Sequence, residues 1–435
     1  MPWFFEKSDG ISSPRLEALM RQTVAEARRR ICDRPRRVLL LPPDITRAHS
    51  GAGRLTELLY HLLADKAEVH VIPTLGQHVP HTPEENRRMF GAIPEERIHA
   101  HDWRGGCVAV GEVPADFVRQ ATGGAADWSI PIALSRKIVE EPWDLIIHVG
   151  HVVPHEVLGF ANHNKNYFIG LGGKETICAA HMAAACCGIE NNLGTLVTPI
   201  RACFNKAEED YLGRLPDLYV QIVLARNPQG QLLPTGLYVG DDLETYLAAA
   251  RQSRRENITI LDEPIRKIVC VMQGDEFFST WVANKAVYRT RMALADGGEL
   301  VVIAPGLVRF GEQPEVDALI RKYGYCGTPR AMAAYRSDPQ LRDLAHAAAH
   351  LIHGSSEGRF TITYAPAGLS RQEIESVHFA YADLAQTLTK YPPDRMTPGW
   401  NDVPDGERVF FIPTPSAGLW ATREKLYGRS AGFEA

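Results

Sequence analysis

Short apolar runs alternate along the first third of the chain with longer stretches of helical spacing. Arg37-Val38-Leu39-Leu40-Leu41 and Leu145-Ile146-Ile147 are such runs, too short for helices and without a polar face. That is the pattern of parallel strands covered on both sides. Glu68 to Ile72 reads as a third strand, and Leu16 to Arg30 and Gly53 to Asp65 as the helices between them. Glu175 to Cys187 is Ala-rich and helix-prone. Thr82-Pro83-Glu84-Glu85 has an N-cap residue, a proline at the first helical position and early acidic residues, a helix start. The alternation predicts an α/β fold with a mostly parallel sheet whose polar loops emerge at one edge.

Asn191 to Asp262 is less regular, with one clear strand (Leu218 to Leu224) and a turn at Asn227-Pro228-Gln229-Gly230. Glu256 to Pro264 reads as a boundary. A second α/β unit follows: strand Lys267 to Met272, helix Trp281 to Ala293, turn Gly297-Gly298 and strand Leu300 to Ala304. Helices are expected at Glu315–Lys322, Pro339–Ile352 and Arg371–Thr387, then strand Val409 to Ile412 and a last helix near Ala421–Tyr427. A chain of 435 residues exceeds one ordinary core. The expected domains are 1–262 and 263–435, both α/β with mostly parallel sheets and the active site in the cleft between them. This leaves the final helix room to pack back on the first domain.

Composition narrows the class. A net charge of −5 asks for neither nucleic acid nor an anionic membrane as partner. No apolar run approaches the roughly 20 residues of a membrane span, and MPWFFEKSDG is a poor signal peptide. The eight cysteines are scattered without a CxxC pair, as reduced thiols would be. A soluble cytoplasmic protein is expected.

The candidate chemistry centres on His148 to His181, which holds five of the sixteen histidines (His148, His151, His155, His163, His181), Lys165 and Lys174. Pro154 takes His151 and His155 out of helical i,i+4 register, so each is expected as a separate loop histidine. The two lysines flank Gly170-Leu171-Gly172-Gly173 ahead of a helix. A phosphate cradle and a plain cap turn both fit that pattern. His181 sits within the helix, four residues after Ile177, on a face of small residues. Upstream, Pro42 and Pro43 block helix and put Asp44, Thr46 and Arg47 on a strand-end loop. There an arginine grips a carboxylate through paired hydrogen bonds, unless it is only a surface ion pair. His78 and His81 occupy the next such loop.

In this order, Asp44-Ile45-Thr46-Arg47, Gly76-Gln77-His78, Pro154-His155 through Gly159-Phe160-Ala161 to Lys165, and Glu175-Thr176-Ile177 to His181 resemble the lactate racemase catalytic-subunit family. Ten residues separate His155 from Lys165 and sixteen separate Lys165 from His181. The resemblance implies a racemase or epimerase of 2-hydroxy acids that uses a nickel-pincer nucleotide, carried by the N-terminal domain. It implies Lys165 as the covalent attachment point and His181 as the protein ligand to nickel. His78 and His155 would be the catalytic acid–base pair, with Asp44 and Arg47 beside them. Thr46, Gly172 and Gly173 are assigned to the cofactor. Trp281-Val282-Ala283-Asn284-Lys285 resembles the substrate-contacting Gln-x-x-Lys segment, with Lys285 as its lysine and Val282 where lactate enzymes have glutamine.

The implied mechanism removes the C2 hydrogen as hydride to the cofactor while a histidine takes the hydroxyl proton, then returns the hydride to the other face. Arg47 and Lys285 would hold the carboxylate. Val282, together with His81, His163 and Asn164 as contacts for distal hydroxyls, suggests a substrate larger than lactate, such as an aldonate. The enzymes that build the cofactor are the implied protein partners. The alternatives are a metal-dependent hydrolase or lyase without the pincer, and a non-catalytic carrier of nickel or cofactor.

Overall fold

In the computed structural model, which describes residues 1–213, 215–227 and 230–428, Arg37–Leu41 is an inner strand of a six-stranded sheet. The strand order is Phe4–Lys7, Leu232–Gly240, Asp217–Arg226, Leu145–His151, Arg37–Leu41 and Glu68–Val71. The last four pair in parallel and the first two are an antiparallel edge. Alternation sorts side chains between faces. Val38, Leu40, Ile147, Val149, Val220 and Ile222 pack with Leu19, Met20 and Val24 of helix Ser13–Arg30 and Leu55 and Leu59 of helix Ala52–Leu63. The intervening positions, His148, Tyr219 and Gln221 among them, fall on the other face and are equally buried.

This sheet belongs to a unit made of Met1–Ala180 and Asn192–Asn257. A second unit comprises His181–Asn191 and the chain from Ile258 on. Its sheet runs Ala380–Tyr381, Thr361–Pro366, Leu294–Ala304, Ile265–Val271, Arg408–Ile412 and Gly399–Asp402, parallel except for the last pair. Val269, Val301, Ile303, Val409 and Phe411 form its core with Leu384 and Leu388. The fold is α/β with mostly parallel sheets, as expected. No helix among the described residues is long and apolar enough to cross a membrane. None of the eight cysteines is in a disulfide.

Several local expectations are corrected. The strand read as ending at Ile147 runs on to His151, because His148 and His151 are buried and continue the parallel ladder beside Tyr219 and Ile222. The stretch after Asn191 is regular: helix Pro199–Tyr211, strand Leu232–Gly240 and helix Leu243–Asn257. Pro228 and Gln229 of the expected turn lie outside the described residues. Gly297-Gly298 lie inside a strand, where the pairing register shifts, and do not end it. Pro339–Ile352 breaks into Pro339–Asp343 and Ala345–His353. Arg371–Thr387 breaks into Arg371–Ser376 and Leu384–Lys390 around the short strand Ala380–Tyr381.

Candidate functional site

Three neighbouring parallel strands deliver the three polar loops to one sheet edge. Beyond Leu41 the two prolines exclude helix, and Asp44 caps a short 3-10 turn, Ile45–Ser50. One Asp44 oxygen accepts from the Thr46 amide (3.0 Å) and hydroxyl (2.5 Å), and the other accepts from His78 Nδ1. Burial alone would raise the Asp44 pKa. His78, Thr46 and Arg47 outweigh it and hold the carboxyl well below its usual range. An ionised carboxylate only accepts, so His78 carries a proton on Nδ1, and the neutral ring therefore has its lone pair on Nε2. Arg47, partly buried, stands in the field of both Asp44 and Glu156.

The His78 loop is seated by close backbone contact. The Gly76 amide donates to Gly170 O at 2.8 Å, and a Cβ at Gly170 would lie 2.5 Å from Thr74 Cβ. Glycine at 170 thus lets the π-helical turn Asn166–Gly170, which starts directly after Lys165, lie against the loop that carries His78. His81 serves the same scaffold. Its Nε2 accepts the Ile45 amide at 2.8 Å and its Nδ1 donates to Asn86 Oδ1 at 3.1 Å. With both ring nitrogens engaged, it is a brace for the Asp44 loop, which corrects the expectation of a substrate contact. The Thr82 capping box then starts helix Pro83–Phe90 as the sequence predicts.

The histidine stretch turns back on itself. Pro154–His155 pairs with Gly159–Phe160 in a two-residue ladder. Gly159 has φ +75°, and a Cβ there would meet Thr195 O at 1.8 Å. His155 Nδ1 accepts the Val157 and Leu158 amides at 3.2 and 3.4 Å. Neutral His155 therefore carries its proton on Nε2, the opposite tautomer to His78. His155 is thus not an isolated loop histidine; its own hairpin fixes the ring.

Lys165 follows two non-glycine residues with left-handed backbone, Asn162 (φ 71°) and His163 (φ 61°). Burial, and then the charges of Arg47 and Arg201, lower the Lys165 amine to about 8, against the pull of Asp44 and Glu156. The structure thus gathers Asp44, Arg47, His78, Glu156 and Lys165 by direct bonds or electrostatic reach. Glu156 is the functional candidate the sequence reading missed; its signal was a carboxylate beside His155 inside the histidine stretch.

Other expectations fail here for physical reasons. His163 is buried between Tyr219 (ring centroids 4.4 Å) and Tyr246 (5.3 Å), and burial holds it well below the usual imidazole range. Asn164 is fully buried and bonds Arg201, Asn205 and Glu208. Neither is placed to greet a distal hydroxyl. His148 is bound to Asp217 and Asn166 in the core. The Gly173 and Lys174 amides donate to Ala133 O (2.8 Å) and Trp103 O (2.9 Å), so they are spent on protein carbonyls and form no phosphate cradle. Thr46 donates to Asp44 through both its amide and its hydroxyl. Among the described residues no three His, Cys, Asp or Glu side chains group to hold a metal.

In the second unit, His181 lies partly buried on helix Lys174–Cys187, four residues after the buried Ile177. Lys285 opens helix Lys285–Thr290 with its ammonium 5.6 Å from the centre of the Phe277 ring. Val282 is 7% exposed on the preceding turn, Thr280–Ala283.

Residues 15–192 match a family model described as the lactate racemase N-terminal domain. No curated protein matches the sequence. Among solved structures, one from Thermotoga maritima superposes with a TM-score of 0.81 at 24% identity, covering 96% of this chain and 100% of that one. The lactate racemase apoprotein from Thermoanaerobacterium thermosaccharolyticum superposes with a TM-score of 0.67 at 15% identity, covering 96% and 94%.

Proposed function

We propose that this chain, whose residues 15–192 match the lactate racemase N-terminal domain, is a racemase or epimerase inverting C2 of a 2-hydroxy acid. The observation that carries the reading is the gathering of Lys165, Asp44, Arg47 and Glu156 within electrostatic reach, with His78 bonded to Asp44; burial and Arg47 lower the Lys165 amine to about 8 there. An amine of that pKa is about one tenth unprotonated at pH 7, far more than an ordinary lysine, and the neutral form is the one that a covalent bond to a carboxyl-derived group requires. Lys165 therefore fits the attachment point of a pincer nucleotide, and His181 offers one imidazole for its nickel. When bound, that group supplies acceptance and return of the C2 hydrogen as hydride.

The chain's own residues would do the rest. Arg47 grips the substrate carboxylate. His78 presents its Nε2 lone pair to a hydroxyl proton while Asp44 steadies the imidazolium that forms. His155 presents Nε2–H to the substrate oxygen in the opposite orientation. Val282, in place of glutamine, favours a substrate larger than lactate; His81, His163 and Asn164 add nothing to that argument.

The test is production alongside the cofactor-building enzymes, then intact mass, nickel content and a chiral screen of 2-hydroxy acids. A covalent adduct, stoichiometric nickel and inversion of one acid are expected. Cofactor without inversion of any acid would favour a carrier. Activity with zinc or iron and no adduct would favour a hydrolase or lyase.

A further inference from the structure

Arg201 is completely buried on helix Pro199–Tyr211, in helical phase with the buried Phe204. A guanidinium stays charged at any working pH, so burying one calls for acceptors. Its two terminal nitrogens find four, three of them on the loop leading to Lys165, while Nε has none among the described residues. Arg201 donates to Phe160 O at 2.7 Å, Asn162 O at 3.3 Å and Asn164 Oδ1, and to the Tyr246 hydroxyl at 3.1 Å. Its plane also lies over the Tyr246 ring, 4.4 Å from the centroid.

The segment it binds is the one with two consecutive left-handed non-glycine residues, Asn162 and His163. Such residues are costly and persist only where their surroundings hold them. Asn162 Oδ1 accepts from Asn166, and Asn164 Nδ2 donates to Asn205 and Glu208, so the turn is tied on both sides.

We propose that Arg201 is a positioning residue for Lys165: it clamps the left-handed turn at Asn162 and His163 and so sets where the Lys165 amine stands. The purpose of this device rests on Lys165 being the attachment point, while the geometry and the test do not. The guanidinium also acts through its charge. The groups facing the amine are Arg47, Asp44, Arg201 and Glu156, and the two arginines favour its neutral form.

The experiment uses the full-length protein without cofactor. Lysines are reductively methylated with formaldehyde and borohydride across pH 6 to 10, and peptide mass spectrometry follows Lys165 against the exposed Lys66. Backbone hydrogen exchange is recorded on the same samples. Lys165 in the native protein is expected to label with a midpoint near pH 8. Arg201→Met should move that midpoint up by about one pH unit, as removal of the neighbouring positive charge restores the ammonium. Arg201→Lys keeps a charge but lacks the fork, so it should share the second effect: roughly tenfold faster exchange at 160–167, with Arg37–Leu41 and Leu145–His151 unchanged.

Folded variants with native labelling and native exchange would overturn the proposal. So would faster exchange spread evenly over the unit, which is what a merely structural arginine gives. A native loop in Arg201→Lys would also overturn it, by leaving charge alone as the cause. If neither Arg201 variant folds, Asn164→Ala and Tyr246→Phe each remove one contact. Each should raise exchange at 160–167 by roughly twofold to fivefold, and no local change in either would overturn the clamp. A failed search for a cofactor adduct on Lys165 leaves these readouts untouched, so the two failures are distinguishable.

Discussion

The Asp44 carboxylate receives the Nδ1 proton of His78 with one oxygen and is saturated by Thr46 on the other. The pair spans two strand-end loops and fixes the tautomer that leaves His78 Nε2 able to take a proton. Asp44→Asn removes the acceptor and frees the ring. Turnover of the loaded enzyme should fall by about 10²–10⁴-fold, the usual range for lost acid–base catalysis. Because the folded Asp44 pKa lies below its unfolded value, the pair stabilises the protein above the unfolded value, and that stability is lost only as pH falls through the folded one. The His78 Nδ1–H should thus remain visible by ¹⁵N NMR from pH 7 down to about 4, the ordinary carboxyl range. Its loss at pH 6 would contradict the pairing.

Lys165 has the opposite sign of linkage from a surface-paired lysine. Its folded pKa of about 8 lies below the unfolded value of about 10.4, so the unfolded chain binds the proton more tightly. This group costs no stability above the unfolded pKa and costs most once pH has fallen through the folded one. Lys165→Met should therefore raise Tm at pH 7, with the gain shrinking toward pH 10, while abolishing any covalent adduct. Thermal unfolding at the two pH values checks the first part, and an adduct mapped to Lys174 would refute the second.

The histidines should separate by role. His181→Ala is expected to lose nickel, whereas His78→Ala and His155→Ala keep it and lose turnover by about 10²–10⁴-fold. His163→Ala should act through stability, since the ring is stacked on Tyr219 and buried. Metal analysis beside kcat distinguishes the three outcomes, and nickel lost on replacing His163 would reassign the ligand.

Substrate choice should follow Val282. A changed pocket contact shifts discrimination by about 1–3 kcal/mol, roughly tenfold to a few hundredfold. Lactate is expected to be poorer than a longer 2-hydroxy acid in kcat/KM across a panel from 2-hydroxybutyrate to gluconate. Val282→Gln should narrow the gap. Lactate at the head of the panel would make Val282 a neutral replacement.

What the sequence by itself determined is local. The apolar run Arg37–Leu41 had to be a covered strand, Pro42-Pro43 had to end it, and Thr82-Pro83-Glu84-Glu85 had to start a helix. These follow from backbone sterics and period, which neighbouring residues decide. The ordering of Asp44, His78, His155 and Lys165 on strand-end loops was legible for the same reason. What each polar group does depended on partners far along the chain. His81 reads like a site histidine until Ile45 and Asn86 consume its nitrogens, and the glycine turn ahead of Lys174 reads like a cradle until Ala133 and Trp103 take the Gly173 and Lys174 amides. His163 and Asn164 became core because Tyr219, Tyr246 and Arg201 close over them. Arg201 itself carries no motif. Only the tertiary structure turns a lone arginine on a helix into the clamp of the lysine loop, because its acceptors lie about forty residues earlier in the chain.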